Sequence, residues 1–310
     1  MGVLRPFGHT PNLEIASPLR GEKPDALGMG LYGIGLTLFL LGLTFGSISG
    51  WIALDVGMIV LGVILIIVFG FAEVKIKQPM MDLSLFKIRQ FSAGILSNLL
   101  AALARGSASI VFVFYFQGAL LENALTAGIK IIPFSIAFVL LGPLSGYLSD
   151  KYGSRRFATT GLLLSGVAFL IFALLPLGVS YDTFVIPIVI VGAGGGMFVA
   201  PNIASIMNSV PTTRRGIASG ISATVLNSGF LISIGISFAI MAQSMPISVL
   251  QQIFAGYQIA SGTVNLTSFH DAMTRIFFVL ASLSFLATIP AWFGTRNLRA
   301  GESAESVIIE

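Results

Sequence analysis

The sequence contains no cysteine among its 310 residues, which excludes disulfide bonds, thiol catalysis and any metal site built on cysteine. Charged residues make up only 10% of the chain, whereas soluble domains carry about 25%. The two histidines, His9 and His270, lie in no metal-ligand spacing, so no metal site is predicted. In so apolar a chain a net charge of +4 does not indicate nucleic-acid binding; the positions of the cations are what matters.

The abundant residue types are those typical of membrane helices. Hydrophobic side chains account for 55% of the chain, with 25 Phe, 35 Gly and 13 Pro. Glycine and proline are more frequent in membrane helices than in soluble ones, because neighbouring helices satisfy the backbone groups they free. We therefore predict an all-α polytopic membrane protein.

Eight apolar segments each approach the ~20 residues that a helix needs to cross the bilayer core. Residues 1–27 show no apolar stretch followed by a cleavage site, so no signal peptide is predicted. The predicted spans are 28–49, 52–73, 91–117, 125–148, 158–177, 184–206, 216–243 and 269–294.

The cations predict the orientation. Fourteen of the seventeen Lys and Arg fall in the tails and in alternate connections, all on one side of the membrane, and the opposite connections hold none. Cytoplasmic loops carry an excess of Lys and Arg, so both termini are expected in the cytoplasm of a multi-pass protein of the cell membrane (plasma or inner). The other three cations, Arg105, Lys130 and Arg275, lie inside predicted spans.

The connection Gly146–Arg156 joins two spans and has the pattern G-x-L-x-D-x-x-G-x-R-R. A glycine there allows close helix approach, the carboxylate of Asp150 can cap a helix end, and the cations hold the loop at the cytoplasmic face. The pattern resembles the loop signature of the major facilitator superfamily of secondary transporters.

Further segments extend the resemblance to residues 25 to about 300. They are Pro79–Phe86, Phe114–Gln117 with Ala127-Gly128 and Pro133 after it, and Pro211–Gly220. Together they resemble the fourteen-helix drug:proton antiporter branch of that superfamily, in which two six-helix halves are joined by an extra helix pair. This chain would supply the extra pair and the second half, and the first half is absent.

The resemblance implies a partial secondary transporter that exports amphipathic small molecules or drugs by alternating access, driven by a proton gradient and without a bound cofactor. Its partners would be the lipid bilayer, the substrate and the missing six-helix half or another chain. The alternative is a membrane interaction module, or a half-transporter without function until a partner chain joins it. The implied divisions are a cytoplasmic tail at 1–27, a linker helix pair at 28–73, a cytoplasmic connector at 74–90, the six-helix half at 91–294 and a cytoplasmic tail at 295–310.

The connector has two interpretations, an amphipathic segment on the membrane surface or an ordinary loop. An intramembrane enzyme is not predicted, because the chain has no His cluster, no paired carboxylates at one depth and no nucleophile beside a base.

Arg105 is the leading candidate for a substrate or proton-coupling contact. It lies near the middle of the third span, where an arginine costs about 2.5–3.5 kcal/mol and almost always faces a cavity or a partner. The alternatives are a structural cation bonded to helix carbonyls and a misplaced span boundary. No carboxylate of this chain lies at matching depth, so its partner would belong to the missing half.

Asp150 and Arg155 are expected to gate transport. The resemblance implies a charge-relay latch that stabilises one state of the cycle, while helix capping and plain anchoring by positive charge are the alternatives. The predicted gating loop consists of Gly146, Asp150, Gly153, Arg155 and Arg156.

Amides and glycines complete the set of candidates. The amides either bind substrate or form hydrogen bonds between helices, and the glycines either pack helices closely or act as hinges. The amides are Gln117, Asn98, Asn227 and Asn202, and the glycines are Gly142, Gly192 and Gly196.

Overall fold

The computed structural model describes residues 25–49, 51–75, 81–176, 178–244, 246, 248 and 266–294. These ranges contain no strand, and eight of their helical segments are long and apolar enough to cross a membrane. The prediction of an all-α polytopic membrane protein is therefore confirmed. The predicted tails at 1–27 and 295–310 lie outside the described residues except for 25–27.

Nine α-helices form the described part of the fold. Short 3₁₀ turns at Leu83–Lys87 and Thr212–Arg214 precede the third and eighth helices. The helices are α1 Ala26–Ser49, α2 Ala53–Lys75, α3 Arg89–Arg105, α4 Ala108–Phe114, α5 Ala124–Tyr152, α6 Ser154–Leu174, α7 Tyr181–Asn208, α8 Arg215–Ala242 and α9 Leu266–Gly294.

The third span is interrupted. A single helix was expected over 91–117, but α3 and α4 are separated at Gly106 and Ser107, and a π-helical turn at Tyr115–Ala119 ends the span. The backbone of α8 lies against the break, since a Cβ on Gly106 would be 2.6 Å from the Cα of Phe230. Breaks and π turns in membrane helices are tolerated where neighbouring helices cover the freed backbone groups.

Close helix contacts hold the bundle together. Helix α7 packs against both α5 and α6, α3 packs against α8 and α9, and α6 packs against α9. Where α6 meets α7, a Cβ on Gly161 or Gly194 would lie 2.5 Å from the carbonyl oxygen of the other residue. Lipid gives little hydrophobic drive to helix association, so approach at small residues supplies the van der Waals contact instead.

The largest core cluster is aromatic and lies between α4, α6, α7 and α9. The ring of Phe172 is 5.1 Å from that of Phe112 and 4.9 Å from that of Phe277, while Tyr115 stacks on Phe184 at 4.1 Å. Aromatic pairs at such separations stabilise beyond their buried area. This cluster fixes the ends of α4 and α7 relative to each other.

Helices α1 and α2 pack against each other, and α1 attaches the pair to α8. The hydroxyls of Tyr32 and Ser228 form a hydrogen bond between α1 and α8. Further along, a Cβ on Gly235 would lie 2.7 Å from Cδ2 of Leu43, so α1 fits closely over this glycine. The helix pair is thus joined to the other helices through α8.

The described part of the connector docks on the bundle. Leu85, only 1% exposed, packs with Phe91, Ile206 and Ile221. The Arg214 side chain donates from Nη1 to Oδ2 of Asp82 at 2.8 Å and to Oγ of Ser84 at 2.9 Å. Over residues 81–88 the connector therefore packs against the helices of the bundle. Residues 76–80, including Pro79, lie outside the described ranges.

Candidate substrate and gating sites

Arg105 is the last residue of α3 and lies beside the break in the third span. Its side chain is only 8% exposed. The guanidinium carbon lies 6.0 Å from the ring centroid of Phe138 on α5 and 5.8 Å from that of Phe198 on α7. A Cβ on Gly195 would be 3.0 Å from Nη1, so the glycine provides the space that the cation occupies.

Two donors of this guanidinium are unsatisfied. Nε and Nη2 of Arg105 are buried without a hydrogen-bond partner among the residues that the structure describes. A buried cation without partners is costly, and the two phenylalanine rings offset only part of that cost. The arrangement suits a planar group that carries hydrogen-bond acceptors, since a guanidinium presents its donors in one plane.

Two predicted amides join helices. Nδ2 of Asn98 on α3 donates to the carbonyl oxygen of Ser222 at 3.1 Å and to its Oγ at 3.2 Å, both on α8. Nδ2 of Asn202 on α7 donates to the carbonyl oxygen of Gly94 on α3 at 3.2 Å. These contacts are hydrogen bonds between helices, of the kind proposed as the alternative to substrate binding.

The other two amides differ in their surroundings. Gln117 lies in the π-helical turn, is buried, and its Oε1 has no hydrogen-bond partner within the described ranges. Asn227 is exposed on α8. The structure does not bring either of them to Arg105 by any observed contact.

The gating loop is shorter than its sequence suggests. Helix α5 continues to Tyr152, and Gly153 alone separates it from α6, with φ 91° and ψ 135°. That positive φ favours glycine. Asp150 is exposed in the last turn of α5, and α6 has no side-chain cap, so Asp150 does not cap it. A Cβ on Gly146 would lie 3.5 Å from the Cβ of Ala200, which is an ordinary van der Waals distance.

Arg155 interacts with an aromatic ring instead of a carboxylate. Its guanidinium carbon lies 3.8 Å from the ring centroid of Trp292 at the end of α9, while Arg156 is exposed. Among the described residues, the salt bridges are Lys130–Glu122 and Arg214–Asp82, and neither includes Asp150 or Arg155. In this conformation the two latch candidates are therefore not paired with each other.

The three candidate packing glycines lie where α5 meets α7. A Cβ on Gly192 would be 2.2 Å from the carbonyl oxygen of Phe134, and one on Gly196 would be 2.5 Å from that of Phe138. A Cβ on Gly142 would meet nothing within 4 Å, although its backbone nitrogen would be 3.0 Å from a Cβ on Gly196. At Gly192 and Gly196 there is thus no room for a side chain. Gly142 has room for one, and only its backbone takes part in the contact between α5 and α7.

A salt bridge that the sequence did not predict lies at the end of the bundle opposite Arg155. The Nζ of Lys130 pairs with Oε1 of Glu122 and lies 5.0 Å from the ring centroid of Tyr181. The Tyr181 hydroxyl donates to the carbonyl oxygen of Lys130 at 3.1 Å. The sequence does contain a pattern that favours this salt bridge. Glu122 lies just before α5 and Lys130 in its second turn, so the two side chains meet if the loop turns back over the helix.

The described fold is thus that of a multi-spanning helical membrane protein with an intramembrane cation held between three helices. The family model described as the Major Facilitator Superfamily matches this chain over residues 22–234 and again over 94–306. The chain belongs to the Major Facilitator Superfamily.

Three relatives of the chain are named as a transporter, a resistance protein and an efflux pump. The chain is 26% identical over 240 residues to the riboflavin transporter RibZ of Clostridioides difficile, covering 76% of this chain and 50% of that protein. It is 24% identical over 238 residues to the lincomycin resistance protein LmrB of Listeria monocytogenes, covering 70% and 50% respectively. It is 27% identical over 158 residues to the multidrug efflux pump LfrA of Mycolicibacterium smegmatis, covering 50% and 31%. The chain therefore spans half or less of the length of these relatives.

Proposed function

We propose that this chain is the C-terminal part of a secondary active transporter that exports amphipathic small molecules by alternating access, coupled to a proton gradient. The observation that carries the proposal is Arg105, a buried intramembrane cation with unsatisfied donors. Intramembrane ionisable residues are rare, face the bundle interior or a water-filled cavity, and mark substrate or ion pathways. No cofactor is required, since the gradient supplies the energy.

The proposed substrates are amphipathic molecules that carry a planar, acceptor-rich group. Such a group would accept hydrogen bonds from Arg105 and contact the rings of Phe138 and Phe198. Riboflavin, which appears in the name of one relative and has a planar ring system rich in acceptors, is the first compound to test. Lincomycin, which appears in the name of another relative and has no planar ring system, is the comparison.

The end of the bundle that carries Arg155 and Arg214 is proposed to face the cytoplasm of a cell-membrane protein, with both chain termini on that side. The distribution of Lys and Arg along the sequence supports this orientation.

A second six-helix unit is proposed as the partner, because the chain spans half or less of the relatives' length. Glycines with open space at the Cβ position line the exposed sides of α5 and α8 and would allow another helix to approach closely. They include Gly128 on α5, and Gly216 and Gly220 on α8.

The test is uptake of riboflavin and lincomycin by energised inside-out vesicles from the native host, with Arg105→Gln introduced into the chromosome. We expect at least about a tenfold loss of uptake, since removing one charged contact to a bound group commonly costs more than about 1.4 kcal/mol. Arg275→Gln is the matched control, because Arg275 is an exposed arginine within α9. A protonophore should abolish uptake in the unmodified vesicles.

Unchanged uptake in Arg105→Gln vesicles at equal protein level would overturn the site assignment. If unmodified vesicles transport nothing, the transport proposal fails, and the chain is then tested as a membrane interaction module by co-purification of a stoichiometric six-helix partner.

A further inference from the structure

The break between α3 and α4 lies at Gly106 and Ser107. The N–H of Gly106 still donates to the carbonyl oxygen of Ala102 at 2.8 Å, and that of Val111 donates to Ser107 at 2.9 Å. In a continuous helix the N–H of Ser107 would donate to the residue four positions earlier, Leu103. It donates instead to Oγ of Ser233 on α8, at 3.1 Å.

Ser233 thus accepts the hydrogen bond that the N–H of Ser107 would otherwise donate within its own helix. Its hydroxyl also donates to Oγ of Ser107 at 3.1 Å, and both serines are almost completely buried. A backbone N–H without a partner is costly inside a bilayer, where no water can replace the lost bond. The break is therefore stabilised from α8 and not from its own helix.

The same face of α8 meets the break one turn earlier. The backbone of Phe230 fills the space where a side chain on Gly106 would be, so α8 touches both residues of the break. Positions 230 and 233 are neighbours on one helical face. Arg105 immediately precedes this two-residue contact, so the residue that carries the guanidinium is joined directly to the segment that α8 holds.

We infer that Ser233 is a positioning residue for Arg105: through its bond to Ser107, α8 keeps the helix open and holds the guanidinium between Phe138 and Phe198. A shift of α8 would then be transmitted to Arg105 without any direct contact between the two. This inference rests on the proposed function for its meaning in transport, but its structural content can be tested without transport.

The absence of cysteine makes a thiol reporter possible in the 310-residue chain. In membranes that contain the Phe138→Cys variant, Phe198 keeps its contact with the guanidinium and the new thiol replaces the other ring. We expect the nearby cation to favour the reactive thiolate. The measurement is its rate of alkylation by iodoacetamide, in which the thiolate displaces iodide, at pH 7 and at pH 10. The Phe138→Cys/Arg105→Gln variant gives the rate without the cation, which we expect to be about tenfold lower at pH 7.

In the Phe138→Cys background, Ser233→Ala should lower the rate at pH 7 to near the level of the Arg105→Gln variant and leave the rate at pH 10 unchanged. A change in access to the thiol would alter both rates, so the two pH values separate the causes. Ser237→Ala is the matched control, because Ser237 is a buried serine one turn further along α8.

The variants Ser233→Thr and Ser233→Val separate loss of the hydroxyl from a change in packing. The two side chains have the same shape, and only threonine keeps the hydroxyl. We expect the threonine variant to retain the rate of the reference and the valine variant to lose it. Equal rates in this pair, or an equal loss in Ser237→Ala, would overturn the inference. Normal transport by Arg105→Gln would overturn the assignment of Arg105 to the substrate site and leave the labelling result standing.

Discussion

The guanidinium carbon of Arg155 lies 3.8 Å from the ring centroid of Trp292, so the first turn of α6 is joined to the last turn of α9 by a cation–π contact. Arg155 belongs to the loop signature, whereas Trp292 lies far away in the sequence. In this conformation Arg155 contacts α9, and it forms no salt bridge with Asp150 in the described part of the chain.

Removal of this contact should destabilise the bundle modestly. Trp292 is 44% exposed, so we expect Arg155→Ala and Trp292→Leu each to lower stability by about 0.5–1 kcal/mol. The double variant should be little worse than either single one, because both remove the same interaction. The measurement is the midpoint of thermal unfolding in detergent, with the exposed Arg156→Ala as control. Strict additivity would show that the two residues do not interact.

The docked connector should give the protein an acid-sensitive contact. Hydrogen bonds from the side chain and the backbone N–H of Ser84, together with the charge of Arg214, hold the pKa of Asp82 below its ordinary value of 3.8. A depressed folded-state pKa contributes stability above the unfolded value, and that contribution is lost as the pH falls through the folded one. The contact is therefore complete at neutral pH and fails only below about pH 4.

Asp82→Asn should accordingly lower the thermal midpoint at pH 7 and reduce its further fall between pH 5 and pH 3. Asp150→Asn is the control, because Asp150 is exposed and forms no salt bridge among the described residues. If the Asp82→Asn variant showed the same pH dependence as the unmodified chain, the Asp82–Arg214 contact would be unimportant in solution.

The number and order of the spans could be predicted because a membrane helix needs a minimum apolar length and the bilayer sorts cations to one side. The helix ends were less predictable. Helix α5 was expected to end at 148, where polar residues begin, but it continues to Tyr152 because Asp150 and Lys151 are compatible with a helix and only Gly153 breaks it. A change to polar residues marks the edge of the apolar layer and not the end of the helix.

The surroundings of Arg105 could not be read from the sequence. Its position inside a span was evident, but Phe138 and Phe198 are two of 25 phenylalanines, and nothing marks them as its neighbours. The break after Arg105 was missed as well, because Gly106 and Ser107 are ordinary residues in a membrane helix. Helix α8 approaches closely at the break, and that contact belongs to the tertiary structure.

The salt bridge between Lys130 and Glu122 should be costly to break from one side. Their side chains are only 22% and 19% exposed, and Oε2 of Glu122 is buried without a partner in the described ranges. Lys130→Met leaves a partly buried carboxylate without its counter-charge, and we expect a loss of about 1–3 kcal/mol. The double variant Lys130→Met/Glu122→Gln should recover most of that loss. Arg275→Met, at an exposed position, should have little effect, and failure of the double variant to recover would contradict the pairing.

The glycines between α5 and α7 provide a matched set within one contact. Ala at Gly192 or Gly196 would place a methyl group 2.2 or 2.5 Å from a backbone carbonyl oxygen of α5, so the two helices would have to separate. We expect each substitution to cost about 1–3 kcal/mol, the usual range for overpacking.

Gly142→Ala is the control within the same contact, because its methyl group would meet nothing within 4 Å. It should be neutral or stabilising by up to about 1 kcal/mol, since alanine restricts the unfolded chain more than glycine does. The thermal midpoint in detergent separates the two groups. If Gly142→Ala proved as damaging as the others, α5 would have to approach a neighbour at this point in some other conformation, which would favour the hinge over static packing.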